Sequence, residues 1–114
     1  MIKNKDCIDL INDKFLIRDR FINRILISYD NGVKIIASVF KNGNKEIQIE
    51  FNGVQSFCLF IDEQDIDGYL ISHYKLFGID GKYYFSFDPY DEQIEINEED
   101  NNWILCKEIL LKGF

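Results

Sequence analysis

The sequence predicts a mainly β, single-domain protein: an antiparallel sandwich or strongly bent partial barrel of seven or eight strands with one short N-terminal helix. Three observations predict it. From Phe21 onward, apolar and polar residues alternate with a period of two, the spacing that gives a strand one inward and one outward face. Asn-Gly and Asp-Gly pairs punctuate these runs at the spacing of roughly 8–12 residues expected of linked hairpins. A chain of 114 residues suits one core, large enough to need no metal or disulfide staple.

The elements follow in order. Lys5–Phe15 places Ile8, Ile11 and Phe15 at helical spacing, with Leu10 beside them, and predicts a short helix. Phe21–Tyr29 and Val33–Phe40 are rich in Ile and β-branched residues and predict two strands. A three-residue Asp30-Asn31-Gly32 loop pairs Ile27 with Ile35 and Ile25 with Ala37, gathering one apolar face. A two-residue turn would mix the faces, so the longer loop is preferred. After the Lys41–Lys45 turn, Glu46–Phe51 alternates cleanly, with Ile47, Ile49 and Phe51 inward. Asn52-Gly53 predicts a tight hairpin into Val54–Ile61, which is apolar on both faces and reads as a strand covered on both sides.

Asp62–Gly68 is a polar connection. Tyr69–Ile79 and Lys82–Asp88 then flank Asp80-Gly81, a strong two-residue hairpin signal. That turn sets a register: Leu76 faces Phe85, Phe77 faces Tyr84, Tyr74 faces Phe87 and His73 faces Asp88. A short strand is predicted at Gln93–Ile96, and a last one at Trp103–Leu111.

Charge is distributed unevenly. Residues 1–45 hold nine bases and five acids, a net +4, whereas residues 46–114 hold four bases and fifteen acids, a net −11. Between Asp88 and Asn102 there are seven carboxylates and no Lys or Arg. Phosphate recognition rests on Lys and Arg, so this balance argues against nucleic acid or an anionic membrane as partner. It favours a basic protein partner drawn by a complementary field. The interaction residues it nominates are Tyr90 as a packing anchor, with Asp91, Glu92, Glu95, Glu98, Glu99 and Asp100 as steering charges.

Catalytic and metal chemistry find little footing. Asp88, Asp91 and Glu92 could offer oxygens to a divalent cation, but they meet no spacing rule, and a solvated acidic loop is expected instead. The loop Glu63–Gly68 resembles the front of a calcium loop, yet its twelfth position is Tyr74 where Glu is needed. His73 is the only histidine. Opposite Asp88 it would make half of a general-base pair and the core of a small hydrolase, or simply a surface charge pair, which is the expected reading. Cys7, Cys58 and Cys106 are odd in number and widely spaced, which is neither a disulfide framework nor a zinc pattern, and Cys58 and Cys106, in apolar runs, are expected to be small buried hydrophobes. No metal, cofactor or enzymatic activity is predicted. No apolar run approaches the roughly 20 residues that span a bilayer, and the N-terminus lacks the apolar core of a signal peptide, so a cytoplasmic protein is expected.

Three stretches carry a resemblance. Leu16-Ile17-Arg18-Asp19-Arg20-Phe21-Ile22-Asn23-Arg24-Ile25 looks like a His-Asp-x-x-Ile-x-x-Ile opening, with Arg18 where His is frequent. Ile49-Glu50-Phe51-Asn52-Gly53-Val54 is similar to a Phe-x-x-Val strand end, and Tyr84–Glu92 also fits. Together they resemble a broad group of small β-rich bacterial proteins, mostly uncharacterised, some classed as immunity proteins of polymorphic toxin systems. The resemblance implies a non-enzymatic module that occludes a basic toxin domain; it transfers no individual functional residue. A structural or assembly role, as a homodimer through an exposed strand edge, is the alternative.

Overall fold

Among the described residues ten strands and one helix follow one another: β1 (Ile2–Lys3), α1 (Asn4–Lys14), β2 (Arg20–Ser28), β3 (Lys34–Lys41), β4 (Lys45–Asn52), β5 (Ser56–Cys58), β6 (Tyr69–Ile71), β7 (Lys75–Ile79), β8 (Lys82–Asp88), β9 (Asn101–Cys106) and β10 (Glu108–Lys112). The computed structural model describes residues 1–14, 16–41, 45–60 and 68–113. Phe15, most of the Lys41–Lys45 turn, Ile61, Asp62 and all of the calcium-like loop but Gly68 lie outside them. The strands form two antiparallel sheets, one ordered β1-β10-β4-β3-β2-β6 and the other β5-β9-β8-β7. Among the described residues neither sheet closes on itself, so the architecture is the expected sandwich with its short N-terminal helix.

The two hairpins with explicit registers form as predicted. Ile27 pairs with Ile35 and Ile25 with Ala37, with Asn31 and Gly32 both at positive φ in the connection. Leu76 pairs with Phe85 and Phe77 with Tyr84. Asp80 and Gly81 take φ of 51° and 75°, the backbone that a two-residue turn matched to strand twist requires.

Two predicted strands are broken, which raises the strand number above eight. Tyr69–Ile79 divides at Ser72-His73-Tyr74 into β6 and β7, which belong to different sheets. An unbroken strand would place Ile71 and Leu76 on opposite faces; the break lets each enter the core from its own sheet, and both are buried. Trp103–Leu111 divides at Lys107 into β9 and β10, again in different sheets. Asn52-Gly53 makes no hairpin either. β4 pairs with β10 in one sheet and β5 pairs with β9 in the other, so two strands turn the same corner side by side. Lys107 N–H reaches the carbonyl oxygens of Asn52 and Gly53 there, at 3.1 and 3.2 Å. Gly53 sits at φ 60°, and a Cβ on it would lie 3.1 Å from Cβ of Lys107. β5 is therefore a three-residue edge strand and is not covered on both sides; Phe60 beyond it is exposed.

The core lies between the sheets. Ile35, Ile47, Ile49, Phe51 and Ile109 meet Leu76, Phe85, Phe87 and Ile104, and α1 closes one end with Cys7, Ile8 and Ile11. Phe85 is its centre, stacked on Phe51 at 5.4 Å and tilted against Phe87 at 5.7 Å. The helix is tied down by polar contacts as well: Asn12 donates to the carbonyl of Leu76, and the Tyr74 hydroxyl to that of Ile11. No described helix is long and apolar enough to cross a membrane.

Candidate functional site

The outward face of the four-stranded sheet carries Lys75 and Phe77 from β7, Tyr84 and Ser86 from β8, and Trp103 and Leu105 from β9, as the registers dictate. Such a face normally meets water, yet Lys75, Phe77, Tyr84 and Ser86 are all buried. Their cover is the acidic segment itself. Residues 89–100 contain neither helix nor strand and fold back over this face.

A buried ionic cluster holds the cover in place. Lys75 is 3% exposed and Asp100 4%. The ammonium of Lys75 lies 2.7 Å from Asp91 Oδ1, 3.0 and 3.1 Å from the two oxygens of Asp100, and 3.0 Å from the carbonyl oxygen of Glu95. All three of its N–H donors thus have acceptors. Asp100 accepts further bonds from the Tyr84 hydroxyl at 2.8 Å, from Tyr90 N–H at 2.9 Å and from Asn97 N–H at 3.0 Å. Taking two opposite charges out of water is costly and is tolerated only when their remaining lone pairs and protons are satisfied, which is the case here.

The titration of the cluster follows from this geometry. Burial works against ionisation of Asp100, but the amides of Asn97 and Tyr90, with Lys75 and Tyr84, outweigh it and hold the carboxyl below its ordinary 3.8. Asp91 is held below the same value chiefly by its hydrogen bond from Lys75. For Lys75 burial favours the neutral amine, and the two carboxylates reverse that, raising it above 10.5. Burial, then the Asp100 charge, pushes the Tyr84 phenol up, so it stays a donor.

Local bonds shape the rest of the segment. Asp91 accepts from Gln93 N–H, Asn97 accepts from Glu99 N–H, and Asp100 N–H returns to the Asn97 carbonyl. These are the side-chain turns that Asp and Asn make readily. Ser86 donates to the Asn101 carbonyl at 2.7 Å, and Arg18 reaches Glu92 Oε1 at 3.1 Å.

The predicted interaction residues therefore separate into two groups. Asp91 and Asp100 are structural, with their carboxylates engaged inside the cluster. Tyr90, Glu92, Glu95, Glu98 and Glu99 face solvent. Gln93–Ile96 is no strand. Its Ile94 and Ile96 point outward at 82% and 46% exposure beside Tyr90 at 64%. Two isoleucines and a tyrosine thus stand among four carboxylates on an internally hydrogen-bonded support.

Sequence reasoning missed Lys75, Ile94 and Ile96. One signal was available for Lys75. Only Lys75, Lys82, Lys107 and Lys112 are basic after residue 45, and the Asp80-Gly81 register puts Lys75 on the same face as Tyr84 and Ser86. Lys82 shares that face at the turn, and Lys75, opposite Ser86, is the base at the end from which the acidic segment leaves β8.

The predicted His73–Asp88 pairing does not form. The β7–β8 ladder ends at Lys75 and Ser86, His73 lies in the preceding bend next to the Ser72 hydroxyl, and Asp88 sits opposite Asn101 in the β8–β9 ladder. Tyr74 likewise leaves the ladder before reaching Phe87, although it is buried and its ring centroid lies 6.5 Å from that of Phe85. Of the carboxylates considered for a divalent cation, Asp91 turns to Lys75 and Glu92 to Arg18. Among the described residues no three His, Cys, Asp or Glu side chains converge as metal ligands. The three cysteines are free. Burial pushes the thiols of Cys7 and Cys106 up to about 12, so they remain protonated and unreactive, while Cys58 is only half-buried.

Beside the cover, over β8 and β9, a hollow opens against the sheet. Ser56, Tyr84, Trp103 and Leu105 form its floor, and Ile96 and Glu98 of the segment form its rim, enclosing about 320 Å³. Trp103 and Tyr84 are stacked within it, with centroids 6.1 Å apart. No protein family, curated protein or solved structure matches the chain.

Proposed function

We propose that this protein is a non-enzymatic, cytoplasmic binding module for a basic protein, most concretely an immunity-type protein that neutralises a toxin domain by covering it. The observation that carries the reading is the outward presentation of Tyr90, Ile94 and Ile96 among Glu92, Glu95, Glu98 and Glu99 on a segment pinned by buried ions. Apolar side chains raised into solvent from a well-bonded support are characteristic of contact surfaces. The carboxylates around them suit a basic partner, because charges at a rim accelerate encounter more than they tighten the final complex. The segment is also pre-organised, which lowers the ordering cost of binding.

The test begins with the gene neighbourhood and continues with the partner it nominates. A toxin-domain gene directly upstream, and capture of its product by this chain, are the expected results. Replacing Glu92, Glu95, Glu98 and Glu99 together by Gln should slow association about tenfold or more at low salt, an effect that fades as salt is added. Ile94→Asp should instead hasten dissociation. Absence of any specific basic partner, or binding unchanged by both variants, would refute the reading.

A second reading has its own observation. Phe21 and Leu70 pair across β2 and β6 and are both exposed, as is Leu26 further along β2. A homodimer through this side of the six-stranded sheet would bury them. Concentration-dependent sedimentation that is lost in Phe21→Ser supports it, and a monomer at high concentration removes it.

A further inference from the structure

We infer that the hollow between Trp103 and Glu98 is a receptor for a single arginine side chain of the basic partner. The inference rests on the protein-binding reading above and gives that surface its specific contact. Four features lead to it. The first is size: about 320 Å³ is at the small end of ligand sites, suited to one side chain more than to a cofactor. The second is the floor, where the Trp103 ring is only half-buried and lines the hollow. Indole is the side chain whose face attracts cations most strongly. The third is charge. Among the described residues Glu98 is the one carboxylate lining the hollow, it is exposed, and no Lys or Arg lines the cavity. The fourth is the Tyr84 hydroxyl, which is committed to Asp100, leaving its ring stacked on Trp103.

A cationic group entering here would lie on indole with a carboxylate at its edge. Guanidinium fits this better than ammonium. It is planar, stacks on aromatic faces, pairs bidentately with carboxylates and is more weakly hydrated, so it gives up less on entry. Ile96 would cover the aliphatic stem, as apolar walls do for long cationic side chains.

Trp103 is the only tryptophan and lines this hollow, so its fluorescence gives a probe at the site. The whole chain is titrated with an end-capped Gly-Arg-Gly peptide, with the same peptide carrying lysine, and with one carrying citrulline, which keeps the shape and removes the charge. A saturable change in Trp103 emission at about millimolar arginine peptide is expected, the range for one isolated side chain. The lysine and citrulline peptides should bind more weakly. Glu98→Gln, a change at an exposed position, should weaken the arginine peptide by about threefold, as befits a solvent-facing ion pair. No saturable change with arginine, equal binding of citrulline or lysine, or indifference to Glu98→Gln would each overturn the assignment. The outcome is separable from that of the wider reading. A basic partner weakened by Ile94→Asp, in a protein that ignores the arginine peptide, removes the receptor and keeps the binding module. Arginine-peptide binding in a protein with no basic partner keeps the receptor and removes the module.

Discussion

Each sheet carries an ion pair on its outward face, and the two pairs differ in what lies above them. On the six-stranded sheet, Glu50 meets Lys112 at 3.1 Å and Asn52 at 3.0 Å, with the lysine side chain 39% exposed. On the four-stranded sheet, Lys75 and Asp100 have side chains only 2% and 0% exposed. Both carboxylates titrate below their ordinary values against the opposing effect of burial. Glu50, itself buried, achieves this with side chains alone, and its lysine partner reaches water. Asp100 needs two backbone amides from the segment that buries it. An outward charge on a sheet can be enclosed when its cover brings donors with it, and enclosure then turns a minor contact into one on which the cover depends.

Breaking the enclosed pair should have the largest effect. Lys75→Ala leaves Asp100 buried and uncompensated and should cost about 3–5 kcal/mol in chemical denaturation. Loss of amide-exchange protection at Tyr90 and Asn97 should accompany it. Acid attacks the same cluster from the other side. Asp91 and Asp100 are depressed below 3.8, so their contribution is complete above that pH and disappears as pH falls through their lower folded values. Lys75 is raised, so its contribution is intact below 10.5 and is lost only as pH rises through its folded value. Urea midpoints measured across the acid range should therefore drop steeply in the parent chain and less steeply in Lys75→Ala. Tyr84→Phe removes one of several donors to Asp100 and should cost about 1–2 kcal/mol by the same denaturation assay. Lys112→Ala, on the open face, should cost less than about 1 kcal/mol. If Lys112→Ala proves as damaging as Lys75→Ala, the cover is not what separates the two faces.

The legible parts of this fold are those decided by neighbouring residues. Asp80-Gly81 dictates its hairpin because left-handed backbone at two successive positions leaves one pairing, and Asp30-Asn31-Gly32 acts similarly through the apolar match of Ile25 and Ile27 with Ala37 and Ile35. The breaks at Ser72–Tyr74 and Lys107 were not legible. Apolar residues continue on both sides of each corner, and their change of phase there, from Ile71 to Leu76 and from Cys106 to Ile109, is accounted for only by the presence of a second sheet. The His73–Asp88 expectation failed for that reason: the register was right, but the strand began two residues later. In the site, seven carboxylates without a base look like a solvated loop. The base that organises them is Lys75, on another strand, and a pattern of charge along the chain does not reveal a cation arriving from the side. Ile94 and Ile96 were placed in a short strand because apolar alternation does not say which face lacks a partner.

The shared corner at Gly53 and Lys107 has a consequence for how the molecule comes apart. Both strands of one ribbon begin in one sheet and finish in the other, so peeling either sheet away drags a strand pair of the other with it. The sheets are not separable folding units, and a single cooperative melting transition is expected. Trp103 lies four residues before that corner on β9, so one fluorophore should trace the loss of both layers, with a midpoint matching that seen by far-ultraviolet circular dichroism.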